Sequence, residues 1–489
     1  MASNPEKPPP FWMGIAAIAG SALLLFYGTG LHPLWPLTWF AVLPILLYAG
    51  AAQRGSAALA GFLAWAAGAA NLWSFFVSVI GIPAGVAVVI CAIPALLFAA
   101  ALLVWREHFR RGQWLRSILV LPSVWSALAY ANTHLSSNGT FGSIAYSQMN
   151  ALPVIQVAAV AGSYGVIGLL MIFPSTLAVA FCRRAGRRTR LWAGLAAGLL
   201  AAVVFAGGEL RIVRAGARTD GTVRLALIAS DEPGKLFVRS APEALEWLRS
   251  YARQARGAGP GRTDVIVLPE KIAAASSSIL RDIDADFREA ARATQADILV
   301  GLDLKTADAR FNQARFYSPD GNSQEYDKRH FVPAIETGYT AGTSLLILRR
   351  PSGVWGVAIC KDMDFVDPSR DYGRAGVGLM LVPAWDFRVD DWLHSRMAVM
   401  RGVEYGFTLA RAARQGALTV SDPYGRIIVE QSSARSPFST LIVPVEVRRT
   451  RTPYARIGDC FALVASGLAL ILIAEALRNF RRKTSTKIA

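Results

Sequence analysis

Apolar residues fall in helix-length runs along the first two hundred positions, and once more close to the end of the chain. Windows of ~20 residues, the length needed to cross a hydrocarbon core, mark runs at about 11–30, 33–52, 56–80, 83–105, 114–131, 152–182, 191–208 and 459–477. Between the last two the pattern changes to alternating short elements. "VRLALIA" reads as a strand, "APEALEWLRSYARQA" as an amphipathic helix, "DVIVLPE" as a strand and "LRDIDADFREAARATQA" as a helix. The strand "DILVGLDL" and a hairpin turning at "SPDG" follow, since Pro-Asp-Gly favours a turn. "SLLILRR" and "VWGVAIC" are strands, as is "VGLMLVPAW"; the apolar period of "DDWLHSRMAVMRGVEYGFTLARA" predicts one helix, and "GALTVSDPYGRII" closes the region. Continuous apolar strands alternating with helices indicate an α/β domain whose sheets are covered on both faces.

The 489 residues are 53% hydrophobic and 17% charged, with a mean hydropathy of +0.36. That is too apolar for an ordinary soluble enzyme, and a membrane protein with one globular domain is expected. The expected boundaries are a tail at 1–10, a seven-helix membrane domain at 11–208, the α/β domain at 222–447, a last membrane helix at 459–477 and a basic tail at 478–489. The net charge of +17 is unevenly placed. The two tails and alternate loops, including Arg54, Arg106–Arg116, Arg183–Arg190 and Arg478–Lys487, carry +13, which leaves +4 for the rest. The intervening loops, "GTGLHPLW" and "ANTHLSSNGTFGSIAYSQMN" among them, have no Lys, Arg, Asp or Glu. Cationic loops stay in the cytoplasm, so eight spans would put both termini inside and the α/β domain outside. The charge reads as an orientation signal and not as a nucleic-acid footprint.

Four cysteines are too few and too scattered for a disulfide framework. Cys91 lies mid-span, Cys182 and Cys460 at helix ends, and only Cys360 sits in the body of the α/β domain. A lone thiol exported to an oxidising compartment is a liability unless it is buried or used. In "VWGVAICKDMDF" a run of strand-formers stops at Cys360, and Lys361, Asp362 and Asp364 follow at once. Two other strand exits carry ionisable groups: "VIVLPE" ends on Glu270, and "YDKRHFVPAIE" supplies Lys328 and Glu336. Sites in α/β sheets form beyond the carboxyl ends of strands. A thiol nucleophile needs a base for its proton, and the carbonyl it attacks needs a cation or donors for the oxyanion. Taken singly, Cys360 reads as a small buried hydrophobe, Glu270 as a helix-start carboxylate and Lys328 as part of a solvated face. Only the set suggests catalysis. The chain has no G-x-S-x-G, H-E-x-x-H or P-loop motif.

At these residues the chain resembles the nitrilase, or carbon–nitrogen hydrolase, superfamily, which uses a Glu, a Lys and a Cys in this order. "LPE" matches the glutamate motif, "YDKRHFVPAIE" the lysine motif with its second glutamate eight residues on, and "ICKDMDF" the cysteine motif. "FN" at 311–312 resembles the family's Asn position. With its flanking spans the whole chain resembles the apolipoprotein N-acyltransferase family, in "WPLTWFAVLPILLYA", "AYSQMNALPVIQVAAVAGSYGVIGLLM" and "RMAVMRGVEYGFTLARAARQGALTVSDPYGRI". The resemblance implies an exported α-β-β-α sandwich in a bacterial inner membrane, with both termini cytoplasmic. It implies catalytic Glu270, Lys328 and Cys360, supported by Glu336, Asn312 and Asp362, with neither metal nor organic cofactor.

The reaction so implied moves an acyl chain from a phospholipid to Cys360, and then to the α-amine of a diacylglyceryl-modified lipoprotein. The partners are the two lipid substrates and the bilayer, with no nucleic acid. The chain departs from the family in several places. Lys361 and Asp362 stand where an aromatic and a glutamate are usual, Ala129 and Asn132 where Glu and Arg are, and Phe237 where a Trp is expected. The segment between Glu336 and the cysteine strand is short, like the connection of soluble nitrilases. A membrane-anchored amidase or nitrilase acting on a small exported amide, and a catalytically silent lipid- or lipoprotein-binding relative, are the rival readings.

Overall fold

The computed structural model describes residues 9–215, 219–259, 261–435 and 437–488, so most of the N-terminal tail lies outside the described residues. The chain divides into two units. One takes the stretches up to Asn132, Gly142–Arg214 and from Ile457 on; the other takes Thr133–Phe141 and Ala215–Arg456.

In the helical unit, seven helices among the described residues are long and apolar enough to cross a membrane. They are Phe11–Gly28, Arg54–Val79, Ala84–Arg110, Trp114–Leu135, Ala158–Ala180, Arg187–Val213 and Cys460–Phe480. Large apolar side chains such as Leu199, Val464 and Leu470 are exposed on them, which suits a surface solvated by lipid and not by water. The run expected at 33–52 forms a shorter piece, Trp35–Ala51, made of two helices, Trp35–Thr38 and Leu43–Ala51. Near its start, Trp39 Nε1 donates to Gln148 Oε1 at 2.9 Å and Thr38 Oγ1 meets Ser147 Oγ at 3.1 Å. Just past its end, Ala52 O accepts from Arg106 Nε at 3.0 Å. The piece therefore joins the uncharged 144–148 loop to the basic 106–111 region. At that basic end Glu107 binds both Arg54 and Arg111, at 3.1 and 2.7 Å, and Arg116 pairs with Glu475 at 3.3 Å. Three of the cationic segments that the sequence separates are thus gathered at one end of the helical unit.

The second unit is a two-sheet sandwich. One sheet holds β1 (Gly221–Ala229), β2 (Val265–Val267), β3 (Ala274–Ser276), β4 (Asp297–Lys305), β5 (Arg310–Tyr317) and β6 (Ser323–Asp327). The other holds β7 (Leu346–Arg350), β8 (Gly353–Val357), β9 (Leu379–Trp385), β10 (Thr408–Arg414), β11 (Ala417–Ser421) and β12 (Ile427–Ser432); β13 (Ser439–Val447) returns to the first sheet beside β1. The strand orders are β13-β1-β2-β4-β5-β6, with β3 on β4, and β12-β11-β10-β9-β8-β7. Alternation within β1 sends Leu225 and Leu227 into the core shared with Val357, Leu381 and Ala410 of the other sheet. Ala226 and Ile228 face instead the helices Ala241–Gly257 and Ser277–Thr294, meeting Trp247, Tyr251, Ile283 and Phe287. Both faces are apolar, so the strands read as unbroken hydrophobic runs. The pattern predicts a covered α/β domain, and the architecture is the α-β-β-α sandwich that the resemblance implies.

Two local expectations differ. The helix expected over 390–412 stops at Tyr405, because Gly406 adopts φ +80 and caps it in the left-handed region; the remaining "TLARAAR" is the buried strand β10. Residues 133–141, expected within the membrane domain, belong to the sandwich: the amide and hydroxyl of Thr140 donate to Asp364 O at 2.9 and 2.6 Å.

Gly301 in β4 tests the packing. A Cβ there would stand 2.2 Å from Pro269 O and 2.7 Å from Glu270 Cα, so Gly301→Ala has to displace that turn. We expect it to cost about 1–3 kcal/mol, seen as a lower thermal unfolding midpoint of the full-length protein. Gly55→Ala, which meets nothing within 4 Å, should leave the midpoint unchanged or slightly raised; equal midpoints for the two variants would refute the tight fit.

Candidate active site

The turn after β2 is held from both sheets. Leu268 N donates to Leu299 O at 2.9 Å, Glu270 N to Ala384 O at 3.3 Å and Ile272 N to Gly301 O at 2.9 Å. The Arg414 guanidinium donates to Lys271 O at 2.8 Å and stacks 4.2 Å over the Trp385 ring. Lys271 has φ +44, a left-handed backbone that such a residue keeps only when its surroundings impose it. Glu270 is thereby presented at a fixed point between the sheets, 2% exposed.

Lys328 follows the last residue of β6. Its amide donates to Asn312 O at 2.8 Å and its carbonyl accepts from Gly342 N at 3.0 Å. Its ammonium, 1% exposed, lies 2.8 Å from Glu270 Oε1 and 2.7 Å from Glu336 Oε2. Asn312 Nδ2 spans the same two carboxylates, at 2.6 Å to Glu270 Oε1 and 2.8 Å to Glu336 Oε1. Lys271 Nζ closes the group at 2.7 Å from Glu336 Oε1, and Val332 N donates to Glu336 Oε2 at 2.9 Å. Two carboxylates thus face two ammonium groups, and the cluster is neutral overall.

Cys360 opens a tight 3₁₀ turn, Cys360–Asp364, at φ +42. The regular strand ends at Val357, so the thiol is carried on a three-residue extension and not on β8 itself. It is half-buried, with Sγ 3.6 Å from Trp385 O. Its thiol titrates well above its ordinary range because of burial first and then the Glu270 carboxylate; Lys328 and Arg411 pull the other way. Glu270 and Lys328 are thus both within electrostatic reach of the sulfur. Burial opposes the charge on Lys328, but Glu270 and Glu336 outweigh it and hold the ammonium well above its usual range. Burial likewise works against ionised Glu336, yet Lys328 and Lys271 win and hold it down to about 2.

The structure brings together Glu270, Lys328, Glu336, Asn312 and the Cys360 turn. Asp362 lies off this cluster and is fully buried as a clamp. Its Oδ2 accepts from Tyr326 Oη at 2.8 Å and Ile359 N at 3.1 Å, and its Oδ1 accepts from Arg329 N and His330 N at 3.1 and 2.9 Å. It therefore ties the cysteine turn to the chain on both sides of Lys328. Lys361 is directed to Asp364, at 3.3 Å. Sequence reasoning missed Lys271, which sits beside Glu270 in the same motif. It also missed Arg411, buried with both guanidinium nitrogens on Asp386, and Arg414. The available signal was two arginines inside the apolar stretch 408–414. Among the described residues no group of three or more His, Cys, Asp or Glu is arranged to hold a metal ion.

Two family profiles match this chain: the apolipoprotein N-acyltransferase N-terminal domain at residues 19–177 and the carbon–nitrogen hydrolase domain at 227–452. The chain is similar to the apolipoprotein N-acyltransferase of Geobacter metallireducens, 26% identical over 96% of this chain and 95% of that one. It is similar also to that of Nitrosomonas europaea, 26% identical over 97% and 98%, and to that of Haemophilus influenzae, 23% identical over 96% and 95%. Among solved structures, a carbon–nitrogen hydrolase superfamily protein of Xanthomonas campestris is 21% identical, with a TM-score of 0.38 over 45% of this chain and 90% of that one. Nit3 of Saccharomyces cerevisiae is 19% identical, with a TM-score of 0.39 over 47% and 93%. One profile thus lies on the helical part and the other on the sandwich, and the chain is similar to apolipoprotein N-acyltransferases along nearly its whole length and theirs.

Proposed function

We propose that the protein is a membrane N-acyltransferase that carries a fatty acyl chain on Cys360 from a phospholipid to the N-terminal amine of a lipid-modified lipoprotein. The observation that carries this reading is one buried ammonium, Lys328, shared by Glu270 and Glu336 beside the thiol of a chain with seven membrane-length helices. Both substrates carry acyl chains that cost about 0.8 kcal/mol per methylene to bring into water. A thiol that must meet them is best tethered to a bilayer, and a hydrolase of small soluble amides has no such need.

The steps follow from the positions. Glu270 takes the Cys360 proton as sulfur attacks the ester carbonyl, and a C–S bond forms. Lys328 uses two of its three N–H donors on carboxylates, which leaves one for the developing oxyanion. Collapse breaks the C–O bond, and the departing alkoxide of the lysophospholipid takes the proton back from Glu270. In the second half the lipoprotein amine attacks the thioester, gives a proton to Glu270 and expels the thiolate, which is reprotonated. Glu336, Asn312 and Lys271 hold the pair in place, and Asp362 positions the cysteine turn.

The expected setting is a bacterial inner membrane, with the sandwich on the outer face and both termini in the cytoplasm. The gathering of Arg54, Arg111, Arg116 and Glu475 at one end of the helical unit supports this. So does the course of Trp35–Ala51, which serves as a short, bent eighth crossing.

Three outcomes test the proposal. Intact-mass measurement after incubation with phospholipid vesicles should show a fatty-acyl increment that hydroxylamine removes and that Cys360→Ala and Glu270→Gln lack. Ammonia release from amides without any increment would instead make the protein an amidase, and neither signal together with retained lipoprotein binding would make it a silent relative. A reporter fused after Lys487 should be active only in the cytoplasm; activity outside would overturn the count of crossings. Glu336 is depressed from 4.5 to about 2, so its contribution to stability is complete above about 4.5 and fades as pH falls towards 2. Glu336→Gln should therefore unfold at a lower temperature than the parent at pH 6, with the two midpoints converging between pH 4.5 and 2; a constant gap across that range would contradict the assignment.

A further inference from the structure

A second charged site lies in the sandwich, away from the thiol. A cavity of about 360 Å³ is lined by Arg374, Arg449, Arg451 and Arg456 together with Tyr405 and Thr450, and no carboxylate lines it. It sits where β9 and β10 begin, next to Gly376 and Gly406. Trp385, whose carbonyl faces Cys360 Sγ, closes the other end of β9. Seven residues of strand separate the two ends by about 20 Å, so the cavity is not a subsite of the thiol.

Its wall is firmly built. Thr450 N donates to Gly406 O at 2.9 Å, and Thr452 Oγ1 to Glu404 O at 2.6 Å. The Arg449 guanidinium lies so close over Gly376 that a Cβ there would stand 2.6 Å from its Cζ. Arg448, next in the chain, is paired with Glu446. Among the described residues none of the four lining arginines has an ion pair or a side-chain hydrogen bond, and Thr450 Oγ1 is buried without a partner. The four arginines are exposed and no carboxylate stands among the lining residues, so their guanidinium groups repel one another and an anion with several oxygens relieves that repulsion. Their planar forks match phosphate best.

We propose that this cavity binds the phosphodiester headgroup of an anionic phospholipid. Arg456 stands four residues ahead of Cys460, where the last membrane-length helix begins. That is the sequence position of a juxtamembrane basic segment, which anionic lipid attracts. The inference rests on the chain being a membrane protein and is independent of acyl transfer, because its test reads binding alone.

The test titrates detergent-purified full-length protein with dioleoyl phosphatidylglycerol, with dioleoyl phosphatidylcholine as the zwitterionic comparison, and counts bound lipid by native mass spectrometry. Replacing Arg374, Arg449, Arg451 and Arg456 together by Gln should weaken phosphatidylglycerol binding about tenfold or more. A control that replaces the exposed Arg239, Arg262, Arg281 and Arg292 by Gln removes the same charge and should leave binding within about twofold. Equal losses in the two variants would mean bulk charge attraction and overturn the site, as would undiminished binding in the first. A thermal upshift from millimolar inorganic phosphate that the first variant loses, with phosphatidylglycerol binding intact, would reassign the cavity to a free anion and refute the lipid. If the four-fold variant does not fold, Arg449→Gln with Arg451→Gln carries the same readout.

Discussion

One buried ammonium organises the sandwich's working end. Lys328 lies between Glu270 and Glu336 at 2.8 and 2.7 Å, and none of the three side chains is more than 2% exposed. Two carboxylates brought this close without a cation could not both stay ionised. Removing one partner from such a buried set costs about 3–5 kcal/mol. The chain meets that constraint twice over: Lys271 balances the second negative charge, and the Asn312 amide spends both of its N–H donors on the two carboxylates. The turn after β2, the residue after β6 and the 332–336 turn are joined by charge beyond the regular strand pairing, and Asn312, still paired within β5, ties to them by hydrogen bonds.

The thiol is positioned through a different residue. Asp362 accepts hydrogen bonds from Ile359 N, on the residue before Cys360, and from Arg329 N and His330 N, on the residues after Lys328. A displacement of the lysine segment is thereby passed to the cysteine turn, so the two keep register. On the other side, Arg411 and Asp386 form a neutral buried pair whose cation acts on the thiol. The left-handed backbone at both Lys271 and Cys360 fits this picture, since strain at a site persists only when its surroundings over-determine it.

Much of this was legible from residue order alone. The apolar strands of the sandwich, seven of the eight membrane-length runs and the three ionisable strand exits each have a local signature and lie where it puts them, whereas the run at 33–52 forms a shorter, broken piece. What was hidden depends on tertiary geometry. A helical period across 390–412 could not show that Gly406 would end the helix and leave "TLARAAR" as a buried strand. Lys271 looked like an ordinary polar neighbour of Glu270, because its partner Glu336 is 65 residues away. Lys361 stands beside the thiol in sequence, yet its ammonium turns to Asp364; adjacency in the chain misjudged which lysine matters. The same holds for 133–141, which follow a membrane helix but anchor on Asp364.

Under the proposed export of the sandwich, the resting charge state answers the question that a lone cysteine raises. Burial and the nearby Glu270 carboxylate hold the Cys360 thiol protonated, and a protonated thiol resists the oxidation that an exported thiolate would suffer. In the proposed mechanism the same carboxylate takes the proton when a carbonyl arrives. Glu270 opposes thiolate formation at rest, and in that mechanism it accepts the proton once the new C–S bond draws negative charge from sulfur to oxygen. At that moment the free N–H of Lys328 faces a charge that did not exist before. In the proposed acyl transfer, electrostatic stabilisation is thus spent on the transition state and not on a standing thiolate.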